Sequence, residues 1–363
     1  MLLKIAGVSA VLAMIICLSA CGGQKNEKVS IAMITTEKSM LNDGTYNQSA
    51  YEGIQKYAEG RDVVYKVYPP ESMSEEDYLK AIDEAARDGV ELCVTPGFNF
   101  ETTIFNAQRM HPGVHFVLID GVPNNGRTDE AREEKIAENT YSILFAEEQA
   151  GFLAGYAIVK DGFRNLGFLG GREFPAVVGY GYGFVQGAEY AAKELGLNPG
   201  EVTVKYEYAG TYEPSPEVQA KAASWYNDGI EVIFACGGGM GISVIQASKV
   251  LANKWVIGVD TDQSGDSETV ITSAMKMIAN SVNRAIEAHF DNSFPGGQKQ
   301  YLGADKDGVG LAMDTSRFKS FSKAGYEKIY NMIAEDQNGI ASSIVKDNGI
   351  EVKELPCEYV KVN

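Results

Sequence analysis

The residues whose types could do chemistry lie in short segments that each follow an apolar run. These segments are Asp43 to Gly53 (DGTYNQSAYEG), Gly97-Phe98-Asn99-Phe100, Asp120, Gly170 to Phe184, Gly237 to Gly241 and Asp260-Thr261-Asp262-Gln263. Each mixes aromatics, carboxylates, amides and glycines. That mixture suits non-covalent recognition of a ligand with a flat apolar part and neighbouring hydroxyls. An aromatic face stacked on a planar base contributes about 1–3 kcal/mol. A hydrogen bond between a hydroxyl and an ionised acceptor contributes about 1.5–3 kcal/mol. The same residues have plainer uses: Asp43 and Asn47 can cap a helix, the glycines can form tight turns, and Tyr46 and Phe98 can belong to the core.

Catalytic patterns are missing from these segments. No G-x-S-x-G elbow, P-loop or G-x-G-x-x-G fingerprint occurs, and Gly179, Gly181 and Gly183 alternate without the final glycine of a dinucleotide loop. Glu147-Glu148 falls in a predicted helix and reads as a solvated pair, and Asp260-Thr261-Asp262 alone is too little for a metal-dependent hydrolase. His111 and His115 are separated by Pro112-Gly113, which rules out a shared helix face for a metal. A non-enzyme with no metal and no cofactor is expected.

The elements that must position these residues are written twice. Asp88-Gly89-Val90-Glu91 is answered by Asp228-Gly229-Ile230-Glu231, and the apolar run ending at Asp120 by the run ending at Asp260, both 140 positions on. Hydrophobic periodicity predicts strands over 29–34, 63–67, 91–95, 114–120 and 140–145, with helices over 47–59, 74–87 and 101–110. Ser74 is the expected N-cap of the second helix, with Asp77 at N3. The second half repeats the order: strand 166–169, helix 183–195, strand 202–208, helix 216–227, strand 232–235, helix 242–252, strand 256–259. Such alternation implies parallel sheets with right-handed crossovers, hence two Rossmann-like α/β lobes with facing strand ends. A helix over 147–159 opens the second lobe. The run 270–273 and the helix after it are expected to cross back to the first lobe, and a strand near 309–313 to return, so that three crossings form a hinge.

The ends and the composition bound the setting. Met1-Leu2-Leu3-Lys4 and the short apolar stretch after it read as a secretory signal, and Leu18-Ser19-Ala20-Cys21 resembles the lipobox of bacterial lipoproteins. Cleavage before Cys21 would leave a lipid-modified cysteine on a polar tether. The net charge of −17 argues against nucleic acid. Of five cysteines, Cys93 and Cys236 lie in or beside strands of different halves and are expected as buried thiols.

The stretch Asp43 to Gly53 resembles the D-x-[ST]-[FY]-N-Q-x-[AS]-[WY]-x-G opening of the basic membrane protein family of lipoproteins, which includes the bacterial purine nucleoside receptor. Glu147 to Tyr156, Gly170-Gly171 with Pro175, Tyr180, Gly183 and Phe184, Gly238-Gly239-Met240-Gly241, Gly258 to Gln263, and Thr272 to Lys276 are similar to further family segments. The resemblance implies a type I periplasmic-binding-protein fold, with two Rossmann-like lobes joined by a three-stranded hinge. It implies a substrate-binding lipoprotein of an ABC importer that captures a purine nucleoside, with the permease and ATPase subunits as partners and a monomer as the expected state. The expected organisation is a signal peptide over 1–20, a lipidated tether over 21–28, a first lobe from 29–145 and 265–300, and a second lobe from 146–264 and 301–363. Carried over by position, Tyr46 would stack on the base, Asn47 with Asp120 would read its polar edge, and Asp260 would accept from the ribose hydroxyls. Lys276 would reach the same hydroxyls or hold the aspartate in place. Asp43, Phe98, Tyr180, Gly238 and Met240 complete the expected ligand-binding set, with Cys21 the lipidated residue. Met240 stands where the family usually has Ser or Thr, and Gly44 where Lys is common. A sugar or autoinducer ligand, or a sensing role without import, is the alternative.

Overall fold

The computed structural model describes residues 28–36, 46–346 and 349–363. The first half runs β1 (Ile31–Ile34), α1 (Tyr46–Ala58), β2 (Tyr65–Tyr68), α2 (Glu75–Arg87), β3 (Leu92–Pro96), α3 (Glu101–Met110), β4 (His115–Ile119) and β5 (Thr140–Phe145). The second runs α4 (Glu147–Lys160), β6 (Asn165–Gly170), α5 (Pro175–Leu195), β7 (Val202–Tyr208), α6 (Pro216–Asn227), β8 (Val232–Cys236), α7 (Met240–Lys249), β9 (Trp255–Asp260) and β10 (Val270–Lys276). The remaining elements are α8 (Ile278–Phe290), β11 (Gln298–Leu302), β12 (Val309–Leu311), α9 (Lys323–Ala334) and β13 (Val360–Val362).

Two sheets result, ordered β11-β5-β4-β3-β1-β2 and β12-β10-β9-β8-β6-β7-β13. Five strands of each, β5-β4-β3-β1-β2 and β10-β9-β8-β6-β7, match place for place and are parallel throughout. The central strands β3 and β8 are buried along their whole length and accordingly apolar, as strands covered on both faces must be. The helix starts follow their caps. Ser74 accepts from the Asp77 backbone N–H at 3.2 Å, and Ser215, with Pro216 at N1, does the same for Val218.

Two expectations are corrected. The segment 170–184 is not one long loop, because α5 begins at Pro175 and carries Gly179, Gly181, Gly183 and Gly187 inside it. None of these glycines has a positive φ. They are needed for closeness: a Cβ on Gly183 or Gly187 would run into the carbonyl of Glu148 or Phe152 on α4, and one on Gly151 or Gly155 into that of Tyr180 or Phe184 on α5. The glycines thus form a seam along which the two helix backbones touch. The run 270–276 does not leave the second lobe either. It pairs with β9 and β12 in the second sheet, and the chain crosses only after Lys276.

The chain passes between the sheets three times: from β5 to α4, from β10 to α8, and from β11 to β12. The first two crossings are an exchange. The helix after β5 packs on α5 of the second lobe, while the helix after β10 packs on α1 of the first. Gly53 on α1 again allows the close approach, since a Cβ there would lie 2.5 Å from the Ala279 carbonyl. Among the described residues, no helix is long and apolar enough to cross a membrane.

Candidate functional site

Strand ends of the two sheets face each other, and their last residues build the site. Just after β4 stands Asp120, and β9 ends on Asp260. Both take a left-handed backbone, with φ of 56° and 64°. Aspartate tolerates this region better than most residues, yet it carries strain of the kind that gathers at functional sites. The repeat therefore extends from sequence to backbone conformation.

Lys276, the last residue of β10, lies between them. Its ammonium is buried, 2.5 Å from Asp120 Oδ2, 2.9 Å from Glu147 Oε1 and 3.8 Å from Asp260 Oδ1. Its near partner is thus Asp120 of the first lobe, with Asp260 farther off. The rings of Tyr46, Phe145 and Tyr180 surround the ammonium at 5.8, 5.6 and 5.6 Å, a range in which the ring quadrupole still attracts a cation. Burial alone would depress the lysine, but Asp120, Glu147 and Asp260 together hold it well above its ordinary value. Three carboxylates share one ammonium, so charge is in excess. Glu147 is pushed up to about 7, first by burial and then by Asp120, against the pull of Lys276. Burial likewise raises Asp260, with Lys276 opposing it and Asp120 adding to it. Among the described residues, no group of three or more His, Cys, Asp and Glu could hold a metal ion. At the centre of these carboxylates the lysine supplies the cation.

The surrounding polar atoms are arranged asymmetrically. The Tyr180 hydroxyl donates to Asp260 Oδ1 at 3.1 Å. Tyr46 opens α1, and its phenol is raised by burial first and then by the neighbouring Asp120. Asp120 Oδ1 is buried with no well-formed hydrogen bond among the described residues, which leaves an acceptor for a ligand. Burial, followed by the charge of Asp260, pushes the Cys236 thiol well up, so it is an inert wall of the site.

Other expected residues fall around this cluster. Phe98 lies at the rim and stacks on Phe174 of the opposite lobe, with ring centroids 4.0 Å apart. Asn47 is buried on α1, where its Nδ2 donates to Thr36 Oγ1 at 3.1 Å. Gly238 provides the left-handed turn before α7, φ 56°. Met240 is buried in the core cluster with Leu169, Val218 and Val244, its methyl end lies near Gly237, and its backbone N–H bonds to the Tyr212 carbonyl at 2.7 Å. Asp43, Gly44 and Cys21 lie outside the described residues. Cys93 and Cys236 are free, buried thiols as expected.

Two residues were missed by sequence reasoning. Glu147 is not solvated but ion-paired, with a side chain only 14% exposed, and Glu148 beside it is buried and meets Lys346 at 2.7 Å. Tyr212, from the loop after β7, lays its ring against Gly171, and its buried hydroxyl has no hydrogen-bond partner among the described residues. Burial, and to a smaller degree Cys236 and Asp260, raises this phenol. The rule that ligands meet the carboxyl ends of strands, applied to β7 and to a β10 extended to its true end, would have found Tyr212 and Lys276 directly.

Two parallel-sheet lobes with a charged, aromatic cluster between their facing strand ends give the chain the type I periplasmic-binding-protein fold. A solute-binding protein of an ABC transporter system from Aeropyrum pernix superposes with a TM-score of 0.67 at 20% identity, covering 85% of this chain and 91% of its own. A dimeric Lac repressor shares the fold at a TM-score of 0.55 and 16% identity, over 80% of this chain and 98% of its own. Residues 28–348 match the family described as "ABC transporter substrate-binding protein PnrA-like", and the chain belongs to that family, whose members are binding proteins and not enzymes. Relatives include the "ABC transporter nucleoside-binding protein BmpA" of Lactococcus lactis, 29% identical over 78% of this chain and 82% of its own length. "Basic membrane protein D" of Borreliella burgdorferi is 28% identical over 92% and 91%.

Proposed function

We propose that this protein captures a purine nucleoside between its two lobes and delivers it to the permease and ATPase subunits of an ABC importer. The observation that carries the reading is the convergence of two strand-end aspartates from opposite lobes on one buried lysine, walled by Tyr46, Tyr180 and Tyr212. Tyr46 would stack on the base. Asp120, whose Oδ1 has no well-formed hydrogen bond among the described residues, and Asn47 would accept from and donate to the polar edge of the base. Asp260 would take the ribose hydroxyls, with Lys276 holding the two aspartates in register. Carboxylates outnumber ammonium groups at the site, so a phosphate would be repelled and a nucleoside preferred over a nucleotide. Asp43, Phe98 and Gly238 would contribute from the loops around the ligand, and Met240 from the start of α7.

Calorimetric titration of refolded, ligand-stripped protein with inosine, guanosine, adenosine, uridine and ribose tests this. Purine nucleosides should bind at micromolar Kd or tighter. Binding of ribose alone, or of none of these nucleosides, overturns the reading. The protein would work as a monomer tethered through lipid on Cys21 at the outer face of the membrane. Radiolabelled palmitate should enter the wild-type chain and not Cys21→Ala, which should also leave the membrane fraction.

A further inference from the structure

We propose that Glu147 is a positioning residue that couples ligand capture to the uptake of one proton. The inference rests on the lobes closing around a nucleoside. Glu147 is the first residue of α4, directly after the β5-to-α4 crossing, so its carboxylate sits at the hinge. It does not need to touch ligand, because it acts through Lys276, 2.9 Å away.

The groups facing it come from every neighbouring element. Lys276 of β10 and Asp120 after β4 act on it most strongly, Tyr46 of α1, Tyr180 of α5 and Cys236 of β8 share its field, and Asp260 of β9 is joined to it through the common Lys276. On its own helix, Glu148 is taken up by Lys346. Asp120 is the member supplied by the first lobe, whereas Lys276 and Asp260 belong to the second sheet. Opening the lobes therefore has three consequences for Glu147. Water reaches the carboxylate, the repulsion from Asp120 is removed, and Lys276 loses its competing partner and turns to Glu147. All three favour the ionised form. Closing reverses all three, and the carboxyl is then held at about 7 in place of its ordinary 4.5. A protonated Glu147 releases the ammonium to Asp120 and Asp260, the two residues assigned to the ligand.

Linkage sets the sign. The closed form binds the proton more tightly than the open form, so affinity is full below the open-form value and declines as pH rises towards the closed-form value. At pH 6, titration with guanosine in two buffers of different ionisation enthalpy should show uptake of about one proton per ligand, and affinity should fall by up to about tenfold per pH unit between about 5 and 7. Glu147→Gln, which imitates the protonated side chain, should bind with no proton uptake and keep at pH 8 the affinity that wild type shows only near pH 5. Glu147→Asp should restore a pH-dependent affinity. Wild-type binding without proton uptake, or an unchanged proton count in Glu147→Gln, overturns the proposal while leaving the nucleoside reading intact. Failure of wild type to bind any purine nucleoside overturns both. The wild-type proton count requires no variant, so misfolding of Glu147→Gln would not rescue the idea.

Discussion

Asp120 and Asp260 end equivalent strands in two copies of one fold unit, and both hold a left-handed backbone, yet their surroundings differ. Asp120 is in close contact with Lys276 and its Oδ1 has no well-formed hydrogen bond among the described residues, while Asp260 stands farther from the lysine and accepts from Tyr180. The difference arises just past the fifth strand of each copy. After β5 the chain places Glu147 at the start of α4, whereas after β10 it passes from Lys276 through Met277 to Ile278 at the start of α8. One copy contributes an acid at its crossing and the other a base. Duplication thus supplies two like walls, and the two crossings supply opposite charges that bind them together.

Replacing Lys276 should break the comparison most severely. Lys276→Met leaves three carboxylates buried without a cation, which should cost about 3–5 kcal/mol of stability in denaturant unfolding. The deficit should shrink at acid pH, where those carboxyls bind protons, and a pH-independent deficit would mean that the ion cluster is not its source. Next, Asp260→Ala should weaken nucleosides by about 2 kcal/mol or more while barely changing free-base affinity, whereas Asp120→Asn should weaken both. Equal losses from both variants on both ligands would erase the division of labour. A third comparison contrasts the two exchanged helices. Gly183→Ala on the α4–α5 seam and Gly53→Ala on the α1–α8 contact should each lower stability by about 1–3 kcal/mol, as overpacked backbones must part. An unchanged melting temperature in either would show that helix pair to be loosely held. The smallest effect isolates the backbone: at both 120 and 260 the Gly variant should be more stable than the Ala variant by about 1 kcal/mol, because only the latter pays for positive φ. A preference for Ala at either position would refute the left-handed turn there.

Much of the scaffold was legible in the chain. The 140-residue echo predicted paired lobes, and β3 with β8 and β4 with β9 keep that offset in the structure. The Ser74 cap and the helices over 101–110 and 216–227 rest on local chemistry that is short in range. Glycine misled at α5 because its two uses, freeing a turn and letting backbones touch, look alike along a sequence. The strand through Lys276 was cut short because its pairing partners, β9 and β12, lie on either side of it in sequence and only the sheet brings them together.

The site divides in the same way. The sequence alone determined that both buried strands end at an aspartate and that aromatics lie beyond them, because strand ends and apolar runs are local properties of a chain. Only the tertiary structure decided that Glu147, read as a solvated acid on a helix, is a buried partner of Lys276, 129 residues further along the chain. Burial and opposite charge at a few ångströms set the ionisation of both groups, and neither exists until the crossings have brought the two lobes together.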